Sequence, residues 1–279
     1  MTAHRLTTLR VEKPWGRRDL WPGFKPGLAG AAPVGEIWFD SAPGIDPQLL
    51  VKYLFTSEKL SIQVHPDDDA ARAAGYPRGK DEAWLILAAE PESTIALGTR
   101  EVTTREALAA GALDGSIVDM LHWRSVKAGD VIYSAAGTVH AIGAGITVIE
   151  VQQNVDLTYR LYDYGRPREL HLAQGIAVSD PIPFVDPLMP GDIGGGRAIL
   201  CEGGKFVLER WSWDGIREIV LPKGLTGWLV PVTGGGNIDG APFTAGECWT
   251  VDGSTVIAPR AASDLLFAYP HPERVPMFR

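Results

Sequence analysis

Glycine and proline punctuate this chain too densely for long helices. The 279 residues include 32 Gly and 21 Pro, about a fifth of the chain, against a usual combined share of about 12%. Glycine costs backbone entropy inside a helix, and proline removes an amide donor there. A helix bundle or coiled coil is therefore excluded. Between the breaks lie short apolar runs, such as LLVKYLF at 49–55 and EAWLILA at 82–88. From residue 125 onward such runs recur about every ten residues. Short strands at that spacing, with Gly-rich turns, read as a sandwich or closed barrel. Nine Trp and plentiful Val, Ile and Leu argue against disorder.

A few helices interrupt this pattern. PDDDAARAAG, after His65, has acids first and alanines later, which suits a short helix. Residues 101–122 read as a helical insertion, and ELHLAQGIAV as a strand end with a short helix. Residues 181–196, with four prolines and a terminal glycine run, form the best linker. They divide a module at 1–180 from one at 197–279. AGDVIYSAAGTVHA (128–141) aligns without gaps on AGECWTVDGSTVIA (245–258), which places His140 on Ile257. Two copies of one β module are expected, of which only the first keeps a metal-capable histidine.

The net charge is −8 and the pI about 5.3. A general nucleic-acid or anionic-membrane surface is disfavoured, while a small basic pocket is not. No run approaches a membrane span, and the N-terminal stretch lacks the apolar core of a secretory signal. Cys201 and Cys248 form no CxxC pair. All of this fits a reducing cytoplasm.

Three clusters carry chemistry. In Ser61-Ile62-Gln63-Val64-His65 the polar residues share one strand face. In Lys80-Asp81-Glu82, Lys80 and Glu82 share a face as the chain enters an apolar strand. In Gly137-Thr138-Val139-His140, a histidine follows a glycine turn. Each alone has a plain structural reading: a solvated face, a surface ion pair, a core histidine. Together, two imidazoles, a carboxylate and an amide oxygen make a nitrogen–oxygen donor set suited to zinc, iron or manganese.

The run Gly129-x5-Ala135-x-Gly137-x2-His140 resembles the second signature of the cupin superfamily, with Ala135 where Pro is usual. KLSIQVHPDD, GKDEAW, GTVHAI and LTYRLYDYGR resemble class I mannose-6-phosphate isomerases of the short bacterial form, as do KPWG and GEIW. The likeness spans roughly residues 10–180. It implies a mainly β chain of two cupin-type jelly-roll modules with a few short helices. It implies a Zn2+ site, or another divalent metal, on Gln63, His65, Glu82 and His140. Arg160 and Lys80 fall on the active-site arginine and lysine, and Ser61 on the serine of the phosphate end, which Lys80 is a candidate to share. Asp81 departs from the Thr or Pro common there and is expected to point away from the ligands with little effect.

The activity so implied is interconversion of mannose 6-phosphate and fructose 6-phosphate through an enediolate. The partner is then a small sugar phosphate, not nucleic acid or membrane, and the protein a monomer or small homo-oligomer. Arg160 could stabilise the enediolate or hold phosphate; Lys80 could hold phosphate or move the proton. The alternatives are a cupin acting on another sugar phosphate, an iron dioxygenase and a non-catalytic sugar-binding cupin. Alternation places Arg160, Tyr162 and Tyr164 on one face, with the tyrosines in the core. Lys52 and Arg78 read as solvated, and Glu36 as a hydrogen-bond partner.

Overall fold

The computed structural model describes residues 2–20, 24–25, 31–41, 46–188, 190–260 and 263–278. Four antiparallel sheets make two sandwiches. In the first, a six-stranded sheet runs in the order Thr7–Arg17, Val34–Asp40, Leu49–Phe55, Ile146–Gln153, Glu82–Ala89, Val131–Ser134. Its partner sheet has five strands, in the order Tyr159–Tyr162, Ile62–Val64, His140–Ile142, Thr94–Thr99, Leu121–Ser125. The second sandwich pairs a seven-stranded sheet with a four-stranded one. The strand Ala3–Arg5 belongs to that seven-stranded sheet, where it pairs with Trp249–Val251.

The layers follow from alternation along each strand. In Glu82–Ala89, Trp84 and Ile86 face the five-stranded sheet and pack with Leu60, Ile95, Leu97 and Ile142. Ala83, Leu85 and Leu87 face the opposite way and pack on Leu208, Trp228, Val230 and Leu266 of the second sandwich. The central strands are therefore buried on both faces, which is why they read as unbroken apolar runs. The outer face of the five-stranded sheet is covered by helices. The order is helices, five strands, six strands, seven strands, four strands.

Local chemistry explains the helices. Asp67 caps Asp68–Ala73 by accepting from the Ala70 amide at 2.8 Å. Thr104 caps Arg105–Asp114, which stops at Gly115 in the left-handed region, φ 87°. A short helix, Ile117–Met120, follows, and Leu172–Val178 is the remaining one. The end of the 181–196 stretch is a strand, Gly191–Gly194, edging the seven-stranded sheet; Met189 within it lies outside the described residues. The internal repeat has a structural counterpart. Both copies turn at a left-handed glycine, Gly129 (φ 94°) and Gly246 (φ 84°). Both then run one strand in the larger sheet and the next in the smaller.

The apolar seam between sandwiches should couple their unfolding. Leu208→Ala, at a position 1% exposed, is expected to cost about 2–5 kcal/mol. Calorimetry should show both sandwiches melting in a single, lowered transition. Two separated transitions would contradict this coupling.

Candidate metal centre

One end of the first sandwich is polar inside. Register sets Lys52 opposite Glu150, Glu150 opposite Trp84, and Trp38 opposite Lys52. Glu36, Lys52, Glu82 and Glu150 therefore enter the interior from four neighbouring strands. From the facing sheet come Gln63 and two residues paired with it across the ladder, His140 and Arg160. Ser61, Lys80, Arg168, Lys13 and Trp15 complete a cleft above them.

At its floor, one donor atom each of His65, Glu82 and His140 lies within 4.8 Å of the others. All three residues are 1% exposed. His65 Nδ1 faces the Leu157 carbonyl at 3.0 Å, and His140 Nδ1 faces that of Thr138 at 2.9 Å. A carbonyl accepts only from Nδ1–H, so both Nε2 lone pairs turn inward. Burial and the Lys80 charge push His65 down to about 3. Burial lowers His140 too, so both rings are neutral donors. Burial alone would raise Glu82, but the Lys80 ammonium outweighs it and holds the carboxyl well below its usual range.

The set fits a cation. His65 Nε2 and Glu82 Oε1, both carrying lone pairs, lie 3.1 Å apart. Glu82 Oε1 is buried and accepts no well-directed hydrogen bond from the described residues. Lys80 Nζ is 2.6 Å from that oxygen and 3.3 Å from His65 Nε2, so an ammonium occupies the approach a metal would use. The buried group could hold a metal ion. Gln63 stands beside it, its amide nitrogen donating to His140 Nε2 at 3.3 Å and its oxygen accepting from Ser61 at 3.2 Å. As placed, its nitrogen faces the histidine, and ligation needs the amide turned over.

A chain of charges extends from the centre. The Trp84 indole donates to both Glu82 Oε2 and Glu150 Oε2, each at 3.2 Å. Lys52 Nζ pairs with Glu150 at 3.3 Å and lies 4.6 Å from the Trp38 ring centroid. The Trp38 indole donates to Glu36 at 2.5 Å. Burial and the Glu82 charge raise Glu150, against the pull of Lys52. Arg160 donates to the Glu169 carbonyl at 2.7 Å, and its buried Nε has no hydrogen-bond partner among the described residues. Asp163 anchors Arg166 and Arg168 beside it.

The structure thus lines one cleft with Ser61, Gln63, Lys80, Glu82 and Arg160, and buries His65 and His140 beside Glu82 beneath it. It corrects Lys52, which is 6% exposed and inside the cleft rather than solvated. Arg78 is likewise held rather than solvated, its side chain 16% exposed, paired with Asp46 and donating to the Asn154 carbonyl at 2.7 Å. The register shifts after Arg160, and Tyr164 (φ 54°) lies beyond the strand. The expected Arg160–Tyr162–Tyr164 face is therefore broken. Asp81 points away from the ligands but is buried against Tyr133. Glu150 went unnoticed in the sequence, although one acid within TVIEVQ was its signal.

Fold and site define a cupin-type double sandwich with a buried, metal-capable His–Glu–His centre in its first half. No family model matches the chain. It is similar to mannose-6-phosphate isomerase ManA of Bacillus subtilis strain 168, 40% identical over 158 residues, 52% of this chain and 50% of that protein. The mannose-6-phosphate isomerase of Streptococcus mutans serotype c is 39% identical over 149 residues, 51% and 46% of the two chains. These matches span about half the length of either relative. In structure the chain is similar to the B. subtilis mannose 6-phosphate isomerase, with a TM-score of 0.81, 25% identity, and coverage of 96% and 99%. A single-site mutant of Salmonella typhimurium phosphomannose isomerase shares the fold at a TM-score of 0.75 and 14% identity, with coverage of 97% and 100%.

His140→Ala should weaken divalent-metal binding at least about tenfold, as read by competition with a chromophoric chelator. Unchanged affinity would remove His140 from the ligand set. The metal-stripped protein should also be acid-sensitive. Unfolded His titrates near ~6.5, whereas folded His65 resists protonation down to about 3. The folded state then binds fewer protons, so stability falls as pH drops below ~6.5. The lowered Glu82 acts in the same direction once pH nears the carboxylate range. Urea midpoints at pH 7, 5.5 and 4.5 should decline in turn; a flat series would contradict the burial of neutral imidazoles.

Proposed function

We propose that this chain is a zinc-dependent aldose–ketose isomerase interconverting mannose 6-phosphate and fructose 6-phosphate. The observation that carries the reading is the buried His65–Glu82–His140 group, whose Glu82 reaches a cleft also lined by Lys80, Glu150 and Arg160. The likeness to mannose-6-phosphate isomerases in both sequence and fold supports it. The first sandwich is assigned the chemistry, and the second supports it. Two free buried thiols suit a reducing cytoplasm.

His65, Glu82 and His140 would hold the ion, with Gln63 as a fourth donor through its oxygen. When bound, a divalent metal supplies Lewis acidity toward the C1 and C2 oxygens of the open-chain sugar. The remaining work falls to side chains. A proton must leave one carbon and return to the next. Glu150 is assigned that transfer: it lines the cleft, and Trp84 and Lys52 fix its carboxylate. Lys80 lies beside the ligands, so its ammonium is assigned to the developing oxyanion rather than to phosphate. Arg160 brings a permanent charge and an unpartnered donor to the same anion. Ser61 and Arg168, also lining the cleft, are assigned the phosphate.

A coupled assay of fructose 6-phosphate formation tests this. Zinc-loaded protein should turn over, chelation should abolish turnover, and added zinc should restore it. Binding without turnover would establish the non-catalytic alternative. Glu150→Gln should lower kcat about 10²–10⁴-fold, and Arg160→Ala about 10²-fold or more with little change in KM. A loss confined to KM would move Arg160 to the phosphate.

A further inference from the structure

Lys80 and Glu82 flank a residue with a different task. Asp81 is 7% exposed and turned toward the second sandwich. Its carboxylate accepts from the Tyr133 hydroxyl at 2.5 Å and from the Ala136 amide at 3.1 Å. Ala136 sits in the turn that leads to His140, so one carboxylate joins two segments carrying ligands of the centre. The Asp81 amide donates to Gln153 Oε1 at 3.0 Å.

Tyr133 is the link to the second sandwich. Its oxygen accepts from the Lys205 amide at 3.1 Å, and its ring packs on Phe206 at 5.6 Å between centroids. The approach is so close that a Cβ on Gly204 would collide with the Tyr133 hydroxyl. Lys205 Nζ meets Asp68 at 2.7 Å. Asp68 in turn accepts from the Gly79 amide at 2.8 Å and from Gln153 Nε2 at 3.0 Å. Residues 79–81 are thus held at both ends by groups braced on the loop 203–205.

We propose that Asp81, Tyr133 and the loop Gly204–Lys205 form a strut by which the second sandwich positions Lys80 and Glu82. Asp81 and Tyr133 are positioning residues; they touch neither ligand group nor cleft. The proposal rests on the isomerase reading given above. It assigns the second sandwich a part in catalysis that its own lack of a His–Glu–His group would not suggest. Asp81 has this role because an aspartate both reaches Tyr133 and caps the Ala136 amide, which Thr or Pro at this position would not do.

Tyr133→Phe removes the hydroxyl and keeps the ring. Well below its melting temperature, with zinc content equal to wild type, it should lose about tenfold in kcat with KM within about threefold, since small misplacements cost rate steeply. Asp81→Asn keeps an acceptor for Ala136 and should lose less. Gly204→Ala, in the other sandwich, should reproduce the kcat loss. The double variant Tyr133→Phe/Gly204→Ala should be no worse than the poorer single, because both act through one contact. Should Tyr133→Phe fold poorly, Lys205→Met, at a side chain 42% exposed, should still lower kcat about threefold. Folded, zinc-loaded variants with lowered melting temperature but wild-type kcat would overturn the strut. A wild-type protein without turnover would instead overturn the isomerase reading, whatever the variants do.

Discussion

Everything at this site depends on keeping a carboxylate charged where water does not reach. Glu82 is 1% exposed, on a strand buried on both faces. An ionised carboxyl there costs several kcal/mol unless cations and donors surround it. Trp84 serves one oxygen, and the Lys80 ammonium the other. Lowering the dielectric strengthens those attractions and also penalises an unmatched charge. The same burial that keeps His65 and His140 neutral therefore makes the Glu82 oxygen a strong attractor for a cation. Desolvation and metal affinity here have one physical origin.

The same device recurs, and its variations separate the two halves. A Trp indole donates to the Glu two residues earlier at Glu36–Trp38, Glu82–Trp84, Glu209–Trp211 and Glu247–Trp249. Positions two apart share a strand face, so the motif fixes a carboxylate without turning the backbone. In the second sandwich Glu209 is saturated. Arg197 binds it twice, at 2.9 and 2.8 Å, with Trp211 at 2.8 Å and Tyr269 at 3.3 Å. A permanently charged guanidinium has closed that carboxylate, and the position matching His140 is Ile257. The second interior keeps the charge-balancing logic and drops the donors that would select a metal.

Much of this was legible in the chain, for reasons that differ by element. The long central strands announced themselves because burial on both faces writes a continuous apolar run. The helix after His65 was visible through its acidic first turn. The metal-capable trio was visible because polar residues at alternate positions in apolar strands have few bland explanations once three such clusters coincide. Less visible were the strands Thr94–Thr99 and Thr7–Arg17, and the hairpin Gly235–Ile238 with Ala241–Thr244. Their small, polar or Gly-rich residues carry no clear period. Lys52 and Glu150 were hidden for a different reason. Each is a lone charge in a run, and only cross-strand register shows that they face one another.

Register also explains why the second sandwich is needed at all. The six-stranded sheet gives one face to the site and the other to Ile37, Phe39, Val51, Tyr53, Leu85 and Val151. That outer face is too apolar to leave in water. Covering it with another sheet makes the site's own scaffold a middle layer, stiff because it is packed on both sides. Once the cover is in place, any contact crossing the seam bears on the strands that carry Glu82 and Glu150. Tyr133 and Asp81 lie where such a contact meets the segment bearing Lys80. A layer that began as hydrophobic cover is therefore placed to hold the geometry of the centre without contributing one of the side chains that line the cleft.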